Sequence, residues 1–95
     1  MTKYESVIII SPLVGEDKMK EIVSNFSEMI NKDGKVENVE VSELKKLAYQ
    51  IKKFDEAFYV VFNYTANSNV VNELERNFRI SEDVIKYITI NCEEK

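Results

Sequence analysis

The chain has 95 residues, 44% of them hydrophobic and 32% charged, with two glycines, one proline and a formal net charge of −4. That length predicts a single domain over residues 1–95, a two-layer object with one core, and the balance of apolar and charged residues excludes a disordered or low-complexity chain. The longest aliphatic run near the start, Val7-Ile8-Ile9-Ile10, is far shorter than the roughly 7–15 residues of a signal-peptide core or the roughly 20 of a membrane span, so a cytoplasmic location is expected and no membrane partner.

The hydrophobic period changes five times along the chain, predicting six elements. A first strand from about Lys3 to Ile10 ends at Ser11-Pro12, because proline cannot donate to a ladder. Met19, Ile22, Val23, Phe26, Met29 and Ile30 then recur at three- and four-residue intervals, one apolar helical stripe, with Glu16 and Asp17 at the positive end of its dipole. Asp33-Gly34 should close this helix, with glycine in the left-handed conformation. Val36 to Ile51 reads as extended, with Val39 and Val41 in phase with Leu47, Tyr49 and Ile51. Glu43 and Lys45 interrupt that face, which predicts a bend or bulge around Ser42 to Lys46. A turn near Phe54-Asp55-Glu56 leads to a third strand, Ala57 to Thr65, rich in aromatic and β-branched residues. Asn67-Ser68 can cap a second helix carrying Val71, Leu74 and Phe78, and a last strand lies around Ile85 to Ile90.

Two strand-helix-strand units predict an α+β, ferredoxin-like β-α-β-β-α-β fold: a four-stranded antiparallel sheet with both helices on one face and the first and third strands innermost. Both inner strands are apolar on both faces, Ile8 and Ile10 against Val7 and Ile9, and Phe58, Val60 and Phe62 against Tyr59 and Val61. Two short helices cover one face only. Some of these side chains are therefore expected on the open side, as a contact surface unless loops fold back over it.

Chemistry has little to work with. The chain has no histidine, so the commonest general base and the histidine-dependent triads are absent. The lone Cys92 excludes an intramolecular disulfide and a cysteine-based zinc cluster, and lacks the base a nucleophile would need. The acidic pairs Glu16-Asp17, Asp55-Glu56 and Glu82-Asp83 sit at predicted helix starts or turns and form no metal-ligand motif. Gly15 and Gly34 build no phosphate-cradling loop. No catalytic residue, metal or cofactor is expected, and no small-molecule substrate.

Cations are the informative charges. Lys45-Lys46-Leu47-Ala48-Tyr49-Gln50-Ile51-Lys52-Lys53 carries four lysines and no carboxylate. Such a run either blunts a sheet edge and keeps it solvated, or meets a polyanion, where each lysine near a phosphate releases counterions. The same sheet topology serves an RNA-recognition module that stacks bases on its third strand, and Phe58, Tyr59, Phe62 and Tyr64 supply aromatics there. Glu56-Ala57-Phe58-Tyr59-Val60-Val61-Phe62 nevertheless lacks that module's basic-glycine opening. RNA contacts are expected instead from the rim: Lys3 on the first strand, Lys45, Lys46, Lys52 and Lys53 on the hairpin, Arg76 and Arg79 after the second helix, and Lys86 on the last strand. These would position phosphates with little sequence reading.

Five segments together resemble the bacterial small-subunit ribosomal protein six family: Lys3-Tyr4-Glu5; Gly34 through Glu40; Lys45 through Lys53 with its leucine-alanine-tyrosine core; Phe58-Tyr59; and Arg79-Ile80-Ser81-Glu82-Asp83-Val84-Ile85-Lys86-Tyr87. The resemblance spans nearly the whole chain. It implies a ferredoxin-like fold, no enzymatic activity and a structural role in the small ribosomal subunit. It also implies partners: the central domain of small-subunit ribosomal RNA, bound together with ribosomal protein eighteen as a heterodimer. Departures fall at Ser42-Glu43, at the lysine pair where arginine is common, at Ala57 in place of glycine and at Ser81. Lysine is a point charge without arginine's planar fork, so bidentate phosphate contacts weaken there. The chain stops at Asn91-Cys92-Glu93-Glu94-Lys95, without the longer tail of some members. The alternative is a ferredoxin-like regulatory or small-ligand module that self-associates through its sheet.

Overall fold

A computed structural model describes residues 1–93; Glu94 and Lys95, which close the terminal run, lie outside the described residues. Its elements follow the predicted order: β1 (Thr2–Ile10), a 3₁₀ turn (Pro12–Val14), α1 (Gly15–Asp33), β2 (Lys35–Ile51), β3 (Phe54–Ala66), α2 (Ser68–Ile80) and β4 (Val84–Asn91). The sheet order is β2-β3-β1-β4 with every neighbour antiparallel. The first and third strands are thus the inner pair, and the fold is the expected ferredoxin-like α+β arrangement.

Period-two alternation divides the inner strands between two environments. Ile8 and Ile10 of β1 and Phe58, Val60, Phe62 and Tyr64 of β3 are buried, and join Met19, Phe26 and Ile30 of α1 and Val70, Val71, Leu74 and Phe78 of α2 in one core. Phe26 and Phe78 meet edge to face at 4.8 Å, which fixes one helix against the other. A polar knot sits within this layer. Ser6 is fully buried, and its Oγ lies 2.8 Å from both the Tyr64 hydroxyl and Thr89 Oγ1, tying β1 to both of its neighbours. Each hydroxyl has a partner, so burial costs little. Burial pushes the Tyr64 phenol above its ordinary pKa, and the hydrogen bonds from Ser6 and Thr89 only partly oppose this.

Four local expectations are corrected. Gly34 is extended (φ −147°, ψ −160°), not left-handed, and its N–H still donates to Ile30 O. Glycine is needed there for space, since a Cβ would lie 2.7 Å from Thr65 O and 2.9 Å from the Ala66 Cβ. The β2–β3 turn falls on Lys52-Lys53 and not on Phe54-Asp55-Glu56, which already belong to β3; Ile51 pairs with Phe54 across it. Both lysines take positive φ, 49° and 72°, as a two-residue hairpin turn that follows the strand twist requires. Asn67 stands at the N-cap of α2, but its carbonyl, rather than its side chain, accepts from Val70 and Val71. Finally, Arg76 and Arg79 lie inside α2, not after it, because the apolar stripe runs on to Phe78 and the helix closes at Ser81.

Candidate nucleic-acid interface

The basic hairpin owes its shape to the last two of three register shifts in β2, the first lying between Val36 and Asn38. Val41 pairs with Val60 and Leu44 with Phe58, so Ser42 and Glu43 together oppose Tyr59. This is the expected bulge. Ser42 Oγ fills it, accepting from the Tyr59 N–H at 3.0 Å and lying 3.1 Å from Tyr59 O and 3.0 Å from Glu43 O, either of which can take its proton. A second, larger shift follows: Lys46 pairs with Glu56 and Ile51 with Phe54, leaving Leu47 to Gln50 opposite Asp55 alone. Extra residues on one strand bend and twist the ribbon. They break the phase expected from Val39 to Ile51, and Tyr49 ends up 85% exposed. Gln50 Nε2 donates to Asp55 Oδ1 at 2.9 Å across this shift.

The bent ribbon brings distant cations together. Lys52 at the hairpin tip, Arg79 in the last turn of α2 and Lys86 on β4 line one groove of ≈ 240 Å³, with Phe78 and Tyr87 among its apolar walls. These two rings lie 5.4 Å apart. Among the described residues no carboxylate lines this groove. The groove between α1 and α2 is of the opposite kind, with Glu28, Asp33 and Glu73 beside Lys32. Lys53 occupies the tip next to Lys52, while Lys45 pairs with Ala57 and Lys46 with Glu56 along the ladder. Among the described residues the ion pair formed is Lys20–Glu16, and none of the eight predicted cations takes part in it.

Two of the eight stand apart. Lys3 pairs with Thr65 at the far end of β1. Lys86 pairs with Ile9, so about six residues of strand, roughly 20 Å, separate the two positions. Arg76 is exposed and turned away from the buried stripe of Val70, Val71, Leu74 and Phe78.

The helix-free face is apolar at its centre. Ile9 pairs with Tyr59 and Val7 with both Val61 and Ile88, while Glu5 pairs with Ile90, so these side chains share one surface. Val7, Ile9, Tyr59 and Val61 are half-buried; Ile88 and Ile90 are exposed at 56% and 46%. Of the aromatics on β3, Phe58, Phe62 and Tyr64 are buried on the helix side and Tyr59 alone among the four reaches the open face. That is no platform for successive bases, consistent with the missing basic-glycine opening. Among the described residues no cluster of acids, cysteine or histidine could hold a metal ion, and no helix is long and apolar enough to cross a membrane. Cys92 is exposed and free.

The charges were legible in the sequence, but the convergence of Lys52, Arg79 and Lys86 was not. The three-residue excess that β2 carries between Lys46 and Ile51 shows no separate signal beyond the broken phase of Val39 to Ile51.

Known proteins resemble this chain over nearly all of its length. A model of the family described as ribosomal protein S6 matches residues 3–91. The small ribosomal subunit protein bS6 of Clostridium beijerinckii is 42% identical over 92 residues, covering 96% of this chain and 97% of that protein. Its counterpart in Alkaliphilus oremlandii is 37% identical over 94 residues, covering 99% of this chain and 100% of that one. The crystal structure of 30S ribosomal protein S6 from Thermotoga maritima superposes with a TM-score of 0.89 at 33% identity, covering 95% of this chain and 86% of that one.

Proposed function

The chain belongs to the ribosomal protein S6 family, a family of structural small-subunit ribosomal proteins and not of enzymes, and from that premise we propose that it binds small-subunit ribosomal RNA through its basic rim while ribosomal protein eighteen covers its helix-free face. The observation that carries this reading is a segregation. Apolar side chains of three strands meet on the face without helices, and most of the predicted cations collect at one end of the same sheet outside any ion pair with the described carboxylates.

Each surface suits a different partner. The face centred on Val7, Ile9, Val61 and Ile88 offers apolar area to a protein, since uncovered patches of this kind on small domains mark interaction sites. The rim offers point charges, whose affinity for RNA comes from counterion release and needs no base reading. A net charge of −4 works against long-range attraction of RNA. The proposal therefore assigns RNA binding to the heterodimer and leaves the isolated chain a weak ligand.

The test replaces Lys45, Lys46, Lys52 and Lys53 by alanine and measures binding of the heterodimer to the central domain of the ribosomal RNA across a salt series. If all four meet phosphates, the slope of log affinity against log salt becomes shallower by about three to four. An unchanged slope places the RNA elsewhere.

A further inference from the structure

Lys52, Arg79 and Lys86 come from three separate elements, yet they line a single groove of ≈ 240 Å³, and among the described residues no carboxylate shares it. Three cations lining one concavity repel one another, and among the described residues that line it no carboxylate offsets the repulsion. An anion would. The walls are rigid: Phe78 is buried at 1% exposure, packed edge to face on Phe26 and tilted against Tyr87. Rings of this kind also exclude water from one side of a bound group, which strengthens each charge-assisted hydrogen bond made to it.

We propose that this groove is a phosphate-binding notch that seats a backbone phosphodiester of RNA, with Arg79 as the directional ligand and Lys52 and Lys86 as flanking charges. Arg79 supplies a planar fork able to take two phosphate oxygens at once, and the two lysines complete the neutralisation as point charges. The register shift between Lys46 and Ile51 is the device that assembles the notch, because it bends the ribbon and so brings Lys52 to the end of α2. The notch deepens the RNA-binding reading above and rests on it: it names three of the eight cations as one site and leaves Lys3 and Arg76 outside.

The test uses the full chain, a short oligouridylate and inorganic phosphate at matched ionic strength, with amide chemical shifts as the readout. Two triple variants are compared, Lys52→Gln/Arg79→Gln/Lys86→Gln and Lys18→Gln/Lys32→Gln/Lys35→Gln, which change the net charge equally at exposed positions. Oligouridylate should shift the amides of residues 52, 79 and 86. The notch variant should lose on the order of tenfold in affinity near 0.15 M salt, through the lost charge-assisted hydrogen bonds to the phosphate, with a slope shallower by about one for the single phosphate released; the control should change less than about threefold. Equal losses in both variants, or shifts confined elsewhere, would overturn the notch. Inorganic phosphate binding there more tightly than oligouridylate would overturn the RNA assignment. A heterodimer whose ribosomal RNA affinity survives the notch variant rejects the notch and leaves RNA binding standing, whereas a wild-type heterodimer that binds no ribosomal RNA rejects both.

Discussion

The two faces of β3 are made of nearly the same kinds of residue and do different work. Phe58, Val60, Phe62 and Tyr64 point into the helix-covered layer and are buried, while Tyr59 and Val61, between them in sequence, stay half-open on the other side. Composition alone does not separate them. The separation comes from the pairing of β3 with β1 and from where two helices can reach. One face is finished within the chain, and the other is left open. Substitutions on the first should therefore be felt in folding, and on the second in assembly.

The largest effect should come from the finished face. Phe62→Ala removes a fully buried ring and should lower unfolding free energy by about 3–5 kcal/mol in urea titrations; a loss below about 1 kcal/mol would mean that this layer is loosely packed. Gly34→Ala comes next. Its methyl would press on Thr65 O and the Ala66 Cβ, costing about 1–3 kcal/mol, and an unchanged urea midpoint would contradict the close approach at the end of β3.

Tyr64→Phe probes the buried face through pH. The folded state holds the Tyr64 phenol above its ordinary value, so the unfolded chain ionises first as pH rises. The contribution of this group is intact below the unfolded value, about pH 10, and is lost as pH climbs through the folded one. Wild-type stability should fall in that alkaline range, and the phenylalanine variant should fall less steeply. At neutral pH the variant gives up one buried hydrogen bond, about 0.5–1.5 kcal/mol, while Ser6 keeps Thr89. Parallel curves for the two proteins above pH 10 would show that the phenol is not protected.

What was readable in the sequence followed from periodicity. The alternation of β1 and β3 and the three-four spacing of α1 and α2 each specify an element and its buried face, and together with handedness they specify the strand order. The interruption by Glu43 marks the bulge at Ser42-Glu43. The turn is hidden for a physical reason: two lysines with positive φ occupy a place where asparagine-glycine is the usual signal, so local pattern points instead to the acids that follow. Gly34 was recognisable as a helix end, but its role depends on β3 passing close by, a tertiary contact that no local pattern encodes. The same holds at the candidate site. Each cation announced its charge, whereas the meeting of Lys52 with Arg79 and Lys86 depends on how the ribbon bends.

The most direct measurement is calorimetric titration of ribosomal protein eighteen into wild type and into Ile88→Lys. Ile88 is 56% exposed on the helix-free face and pairs with Val7 at its centre, so the substitution should move unfolding free energy by no more than about 0.5 kcal/mol. A lysine in the middle of an apolar contact would have to be desolvated there, and the affinity should drop at least tenfold, about 1.4 kcal/mol. Undiminished binding by a fully folded variant would mean that the open face is not where the partner sits.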